Sequence, residues 1–307
     1  MKLLLSKPRG FCAGVERAID TVEKALALWG APIYVKHEIV HNRYVVDRLK
    51  AKGAIFIEDL SEVPQGCRLI YSAHGVAPIV REMAKQRNLI EIDATCGLVT
   101  KVHSAAKRFA EKGYHIILIG HKNHVEVIGT AGEAPDQTTI VESEEDVAAL
   151  RFSQQDKLFY LTQTTLSLDD VKEITKALLE KYPQIETLPS SSICYATTNR
   201  QMALSAITNQ TDLVLVVGDP TSSNSNRLRE IAQKRGVRSY LINKSDEIDP
   251  SWFDGVKTVG LTAGASTPED IVQGCIQKLM SFGVKEVEDV VFVEENVVFQ
   301  LPKAVLS

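Results

Sequence analysis

Three cysteines stand where a thiol can become a metal ligand. Arg9-Gly10-Phe11-Cys12-Ala13-Gly14-Val15-Glu16 sets one between a short apolar strand and an amphipathic helix. Glycine on both sides lets the backbone turn tightly and approach something closely. A helix start favours thiolate, because the local dipole and unsatisfied N–H groups stabilise the anion. The arrangement returns at Asp93-Ala94-Thr95-Cys96 and at Ser192-Ile193-Cys194-Tyr195, at roughly equal spacing along the chain. Three thiols from three similar units point to one metal centre. A zinc site of three cysteines and a histidine is possible, but structural zinc ligands usually come in close Cys-x-x-Cys pairs. An iron–sulfur cluster fits the spacing better. Clusters usually take four thiolates, so three leave one iron open to bind a substrate as a Lewis-acidic, redox-active position.

The remaining cysteines read differently. Cys67 opens an apolar strand and Cys275 lies inside a helix, where a thiol serves as a small hydrophobe. Five widely spread cysteines in a chain of 307 residues do not form a disulfide framework.

Around the cysteines the loops that follow strands are unusually polar. They are His37-Glu38-Ile39-Val40-His41-Asn42, Ala73-His74-Gly75-Val76, Gly120-His121-Lys122-Asn123-His124-Val125-Glu126, Gln163-Thr164-Thr165, Gly218 to Asn226 and Thr262 to Thr267. In open α/β sheets, ligands bind at such carboxyl ends of strands. All seven histidines fall before residue 125, and His41, His74, His121 and His124 lie in these loops. Thr221-Ser222-Ser223-Asn224-Ser225-Asn226 precedes a helix and holds more cap-type residues than one cap needs, which favours an anion site over plain capping. Ala263-Gly264-Ala265-Ser266 is a weaker signal of the same kind. Together the loops suit a compact polyanion such as a diphosphate. Glu126 is either a proton donor or a carboxylate that orients a histidine.

The elements that must carry these loops alternate strand, loop and helix, which predicts parallel α/β sheets. Val15, Ala18, Ile19, Val22, Leu26 and Trp29 form one helical face. Short apolar runs at Leu3–Leu5, Ile33–Val35, Ala54–Ile57, Leu69–Ser72, His115–Ile119, Leu158–Thr162, Leu213–Val217 and Thr258–Leu261 read as strands. Ser167 caps a helix with Asp170 three residues on. The helix after Cys194 is expected from Asn199, and Val297-Val298-Phe299 is expected to add an edge strand to an earlier unit. The organisation is three pseudo-symmetric α/β lobes with mostly parallel sheets: 1–96, joined by a strand from the tail, then 97–193, 194–281, and a C-terminal tail of 282–307.

Composition sets the outer bounds. Hydrophobic residues make up 44% and charged residues 24%, as in globular proteins. The net charge of −4 gives no basic footprint for nucleic acid. No apolar run is long enough to span a bilayer and no signal segment is evident, so a cytoplasmic location is expected.

These motifs resemble a known family. Arg9 to Val15, His37 to Asn42, Ser72 to Val76, Asp93 to Cys96, Thr162 to Ser167, Ile193 to Gln201, Ser222 to Leu228 and Thr262 to Ser266 are similar, in order and spacing, to 4-hydroxy-3-methylbut-2-enyl diphosphate reductases. These enzymes catalyse the last step of the methylerythritol phosphate route to isoprenoids. The resemblance implies three lobes around a [4Fe–4S] cluster on Cys12, Cys96 and Cys194, with the substrate hydroxyl on the fourth iron. It implies diphosphate binding by His41, His74, His124, Ser222, Ser223, Asn224 and Ser266, a proton from Glu126, and Thr164 on the hydroxyl and in the relay. Isopentenyl and dimethylallyl diphosphates would be the products, with electrons from ferredoxin or flavodoxin. The chain departs from the family pattern at Gly97 and Val125, where proline is common, at Ile128, and at Asp219-Pro220. An Asp219 carboxylate near a diphosphate would be repulsive and is expected to turn away. Two other readings compete: a zinc-dependent hydrolase or lyase acting on a phosphorylated substrate, and a non-enzymatic iron–sulfur sensor.

Overall fold

The computed structural model describes residues 1–306. The chain begins β1 (Lys2–Lys7), α1 (Ala13–Trp29), β2 (Ile33–Lys36), α2 (Arg43–Ala51), β3 (Ala54–Ile57), β4 (Arg68–Tyr71), α3 (Pro78–Gln86) and β5 (Ile90–Asp93). It continues α4 (Gly97–Glu111), β6 (His115–Ile119), α5 (Val125–Ala131), β7 (Thr138–Val141), α6 (Glu144–Ala149), β8 (Leu158–Thr162), α7 (Leu168–Lys181) and β9 (Glu186–Thr187). The last part is α8 (Tyr195–Thr208), β10 (Leu213–Val217), α9 (Ser223–Lys234), β11 (Arg238–Ile242), β12 (Thr258–Ala263), α10 (Glu269–Ser281) and β13 (Glu286–Val291).

These strands form three sheets, in the orders β3-β2-β4-β5, β7-β6-β8-β9 and β11-β10-β12-β1-β13. Every pairing among the described residues is parallel. Parallel neighbours need a crossover, and the helices supply it. The expected class, three α/β lobes with parallel sheets, is what the chain adopts.

Two compact units emerge. One comprises residues 1–15, 41–45 and 195–298 and holds the five-stranded sheet; the other comprises residues 16–40, 46–194 and 299–307 and holds both four-stranded sheets. In the first, every residue of β10 is buried. Leu213, Leu215 and Val217 enter one core cluster, while Val214 and Val216 enter the cluster on the opposite face. In the second unit β6 does the same, with Ile116 and Leu118 on one face and Ile117 and Ile119 on the other. A strand covered on both faces must be apolar at every position, which is why these runs show no alternation.

Three details differ from the sequence expectation. β1 pairs with β12 through Lys2↔Thr258 to Leu5↔Leu261, so the strand leading to Cys12 belongs to the same sheet as β10 to β12. The tail strand is Glu286–Val291, paired with the other edge of β1, whereas Val297 to Phe299 has no strand and Val298 is 87% exposed. From β12 the chain crosses through α10 past β1 to the outer edge of the sheet, and the acidic stretch Glu294-Glu295 follows as irregular chain. Finally, α8 starts at Tyr195, directly after the cysteine. Its first turns bury Ala196, Thr197, Arg200 and Gln201, a polar face that apolar periodicity does not reveal.

Candidate active site

The three cysteines share one local device. Each leads into a helix, α1, α4 or α8, and Cys96 is the N-cap of α4. Each also donates its backbone N–H to a carbonyl of a polar loop. Cys12 donates to Ala265 at 3.2 Å, Cys96 to Ala73 at 3.0 Å and Cys194 to Thr164 at 3.0 Å. Those carbonyls belong to the loops of Ser266, His74 and Thr164 respectively. The N–H that would otherwise point into the helix mouth is therefore used to tie a thiol to a candidate substrate loop. None of the three cysteines forms a disulfide, and each is partly exposed. Cys275 is fully buried in the core cluster beside β10 and β12, and burial, followed by the charge of Glu247, pushes its thiol up to about 12. Gly10 holds φ +69°, and a Cβ there would sit 3.1 Å from the Thr267 carbonyl, so the turn before Cys12 requires glycine.

In the unit with the two smaller sheets, β8 ends at Thr162 and presents Thr164 to Glu126. The Glu126 carboxylate is 3% exposed. Its Oε1 accepts the Thr164 N–H at 2.6 Å and its Oε2 accepts the Thr164 hydroxyl at 2.8 Å. His124 caps α5: its Nδ1 accepts the Glu126 N–H at 3.2 Å. A neutral imidazole that accepts at Nδ1 carries its proton on Nε2, so the cap fixes which His124 nitrogen is the donor. The rings of His74 and His124 face edge to face at 6.1 Å. Gly75 follows with φ +77°, where a Cβ would come within 3.0 Å of His103 Nε2. His121, by contrast, turns its Nδ1 to the Glu142 carboxylate at 3.5 Å.

In the other unit, Ser266 Oγ donates to the His41 carbonyl at 2.9 Å, and Asn224 Oδ1 accepts the Ala265 N–H at 2.9 Å. Ser222 caps α9, accepting the Ser225 N–H at 3.4 Å. Sequence had set capping against anion binding for this run, and the geometry makes the two compatible. A hydroxyl that caps as an acceptor keeps its hydrogen to donate elsewhere. Ser223 opens α9, and Asn224 is 3% exposed, with Nδ2 3.4 Å from Thr197 Oγ1.

Sequence reasoning missed the side chains that hold the cysteine loops. Arg200 has no exposed surface; it donates to the carbonyls of Gly10 at 2.8 and 3.0 Å, Phe11 at 3.0 Å and Ala196 at 2.9 Å, and pairs with Glu295 at 3.2 Å. Arg17 donates to the carbonyls of Thr95 at 2.9 Å, Asp93 at 3.3 Å and Gln300 at 2.7 Å. His103, wedged beneath Gly75 and Gly129, pairs with Glu133 at 2.8 Å. Backbone carbonyls carry no residue signature, so the one hint of a role was that Arg200 lies inside the family-like run Ile193 to Gln201, three residues after Thr197.

Asp93 ties down the approach to Cys96. It accepts the Thr95 N–H at 2.9 Å and pairs with Arg81 at 2.7 Å. Burial would raise its carboxyl, but the hydrogen bonds from Thr95 and the Arg81 guanidinium hold it below the usual range. A depressed folded-state value stabilises the fold above the unfolded carboxylate value, about 3.9, and the gain is lost as pH falls through the lower folded value. Asp93→Asn is thus expected to be less stable than the parent at pH 7, and the gap is expected to close below about pH 4. Urea unfolding midpoints across that range check the sign; a constant gap would exclude the linkage.

The chemistry of the donors fits an iron–sulfur group: three thiols outside any disulfide, each at a helix start and each tied to a polar loop. No helix among the described residues is long and apolar enough to cross a membrane.

A family described as LytB protein matches residues 3–280. A 4-hydroxy-3-methylbut-2-enyl diphosphate reductase of Protochlamydia amoebophila is 76% identical, covering 100% of this chain and 98% of its own. The enzyme of the same name from Chlamydia pneumoniae is 64% identical, covering 98% of each. The solved E-1-hydroxy-2-methyl-but-2-enyl-4-diphosphate reductase of Plasmodium falciparum superposes with a TM-score of 0.97 at 51% identity, covering 100% of this chain and 96% of that one. With its motifs in place, its sheets matched and its length spanned, the chain belongs to the LytB family of 4-hydroxy-3-methylbut-2-enyl diphosphate reductases, which are oxidoreductases.

Proposed function

We propose that this protein reductively dehydroxylates (E)-4-hydroxy-3-methylbut-2-enyl diphosphate to isopentenyl and dimethylallyl diphosphates in the cytoplasm, with ferredoxin or flavodoxin as the electron donor. The C–O bond to the hydroxyl breaks, two electrons enter the allylic skeleton, one proton leaves with the oxygen as water and a second adds to carbon. Cys12, Cys96 and Cys194 hold a single [4Fe–4S] cluster, which when bound supplies the electrons and a Lewis-acidic iron for the hydroxyl. His41, His74, His124, Ser222, Ser223, Asn224 and Ser266 bind the diphosphate, and the His124 Nε2–H is an oriented donor for it. Thr164 holds the hydroxyl. Glu126 delivers the proton through Thr164, since oxygens 2.8 Å apart can pass a proton in either direction.

The observation that carries this reading is the threefold tie between a cysteine N–H and the loop of a substrate residue, through Ala265, Ala73 and Thr164. Thiols that served only structure would have no reason to be fastened to the loops of Ser266, His74 and Thr164. Purified without oxygen, the protein is expected to be brown, with iron and acid-labile sulfide. Changing any one of Cys12, Cys96 or Cys194 to serine is expected to remove the broad visible absorbance. A colourless protein with stoichiometric zinc and no sulfide would establish the hydrolase or lyase reading instead. A cluster without turnover of the hydroxy-diphosphate under a reduced donor would establish a sensor.

A further inference from the structure

Asp219 puts a negative charge three residues before Ser222, in a loop read as binding an anion. The residue is 6% exposed, so the charge is not dispersed into solvent. Both of its oxygens are committed. Oδ1 accepts the N–H and the hydroxyl of Thr221, at 2.9 and 2.7 Å, and Oδ2 accepts the N–H of Arg43 at 2.9 Å. Its own carbonyl accepts the Ser222 N–H at 2.9 Å. Arg43 opens α2 two residues after His41, and the His41 carbonyl is held from the other side by Ser266 Oγ at 2.9 Å. The turn His41-Asn42-Arg43 is therefore fixed at both ends, by Asp219 at one and Ser266 at the other. Burial would raise the Asp219 carboxyl, but the bonds from Thr221 and Arg43, with the nearby His41, hold it below the usual range. It is an anion with its lone pairs directed into the loops.

We propose that Asp219 is a positioning residue for the anion site, fastening the His41 turn of α2 to the Ser222 turn of α9 so that one rigid frame presents both to the diphosphate. This rests on the reading that His41 and Ser222 bind diphosphate. The proposal has a sign that simple electrostatics does not share. Charge repulsion alone says that removing an anion beside a diphosphate tightens binding. A frame held by Asp219 says that removing it weakens binding, because the loops must then be ordered at the moment the ligand arrives.

The test is calorimetric titration of inorganic diphosphate into anaerobically purified holoprotein, comparing the parent with Asp219→Asn and Asp219→Ala. The asparagine keeps one acceptor oxygen, so it can accept the N–H of Thr221 or of Arg43 but not both, and it removes the charge. Affinity is expected to fall about tenfold in Asp219→Ala and by less in Asp219→Asn, in protein whose iron content and near-ultraviolet circular dichroism match the parent. Equal or tighter binding in the variants would overturn the proposal, as would a lowered unfolding midpoint with unchanged affinity, which marks a merely structural role. No binding by the parent would overturn the diphosphate reading itself, and this inference with it. If Asp219→Ala does not fold, Asp219→Asn alone decides the sign.

Discussion

Replacing Glu126 with glutamine is expected to lower turnover at least about a hundredfold, the scale of a lost general acid, while cluster content and affinity for inorganic diphosphate stay at the parent level. The geometry makes this substitution a clean one. Glutamine Oε1 can still accept the Thr164 N–H, and its amide can donate to the Thr164 hydroxyl, so the two hydrogen bonds at 2.6 and 2.8 Å keep their partners. The residue is buried and nearly isosteric in both forms, so no cavity opens. What disappears is a proton that can be released and regained. Single-turnover kinetics under a reduced donor, read beside absorbance and calorimetry, separate loss of chemistry from loss of binding. Undiminished turnover would take Glu126 out of the reaction. A similar loss in Thr164→Val would place the threonine hydroxyl between Glu126 and the substrate, because that change leaves the carboxylate in place.

Arg200→Met is expected to cost about 3–5 kcal/mol of stability, the scale for breaking a buried charge pair from one side. Arg200 itself is fully buried, and its fork satisfies the carbonyls of Gly10 and Phe11 just before Cys12 as well as the Glu295 carboxylate. Removing it strands those carbonyls and leaves Glu295, from the acidic tail, without its cation. Lysine carries the charge but not the fork, so Arg200→Lys is expected to recover only part of the loss. The urea unfolding midpoint measures the first effect, and iron and sulfide content after anaerobic purification measures the consequence for the Cys12 turn. A methionine variant with the parent's midpoint and full metal content would show that the glycine turn holds Cys12 unaided.

Two of these side chains show where the primary structure stops being readable. The resemblance puts Thr164 and Glu126 in one relay, but the double hydrogen bond joining them depends on β6 and β8 being sheet neighbours in the register His115↔Leu158 to Ile119↔Thr162. Arg200 was readable only as one basic residue in a helix that shows no apolar stripe. Its partners are main-chain carbonyls 189 and 190 positions away, and every residue type offers the same carbonyl. Asp219 lies between these cases: charge logic alone says that it turns aside, while its actual partners, Thr221 and the Arg43 N–H, follow from residues 41–45 packing within the same unit as Asp219.

By itself the chain's order of residues determined the α/β class, the run of elements, and the three cysteines with their polar loops. All of these are local: apolar periodicity, helix starts and cap-type residues act over a few positions, within reach of backbone geometry. The tertiary structure alone decided that β1 joins the sheet of β10 to β12, that β13 and not Val297 to Phe299 covers its edge, and that each cysteine N–H closes onto a particular loop carbonyl. Strand pairing and backbone hydrogen bonds are chosen by which buried groups would otherwise go unsatisfied. That choice is settled only when the distant segments meet.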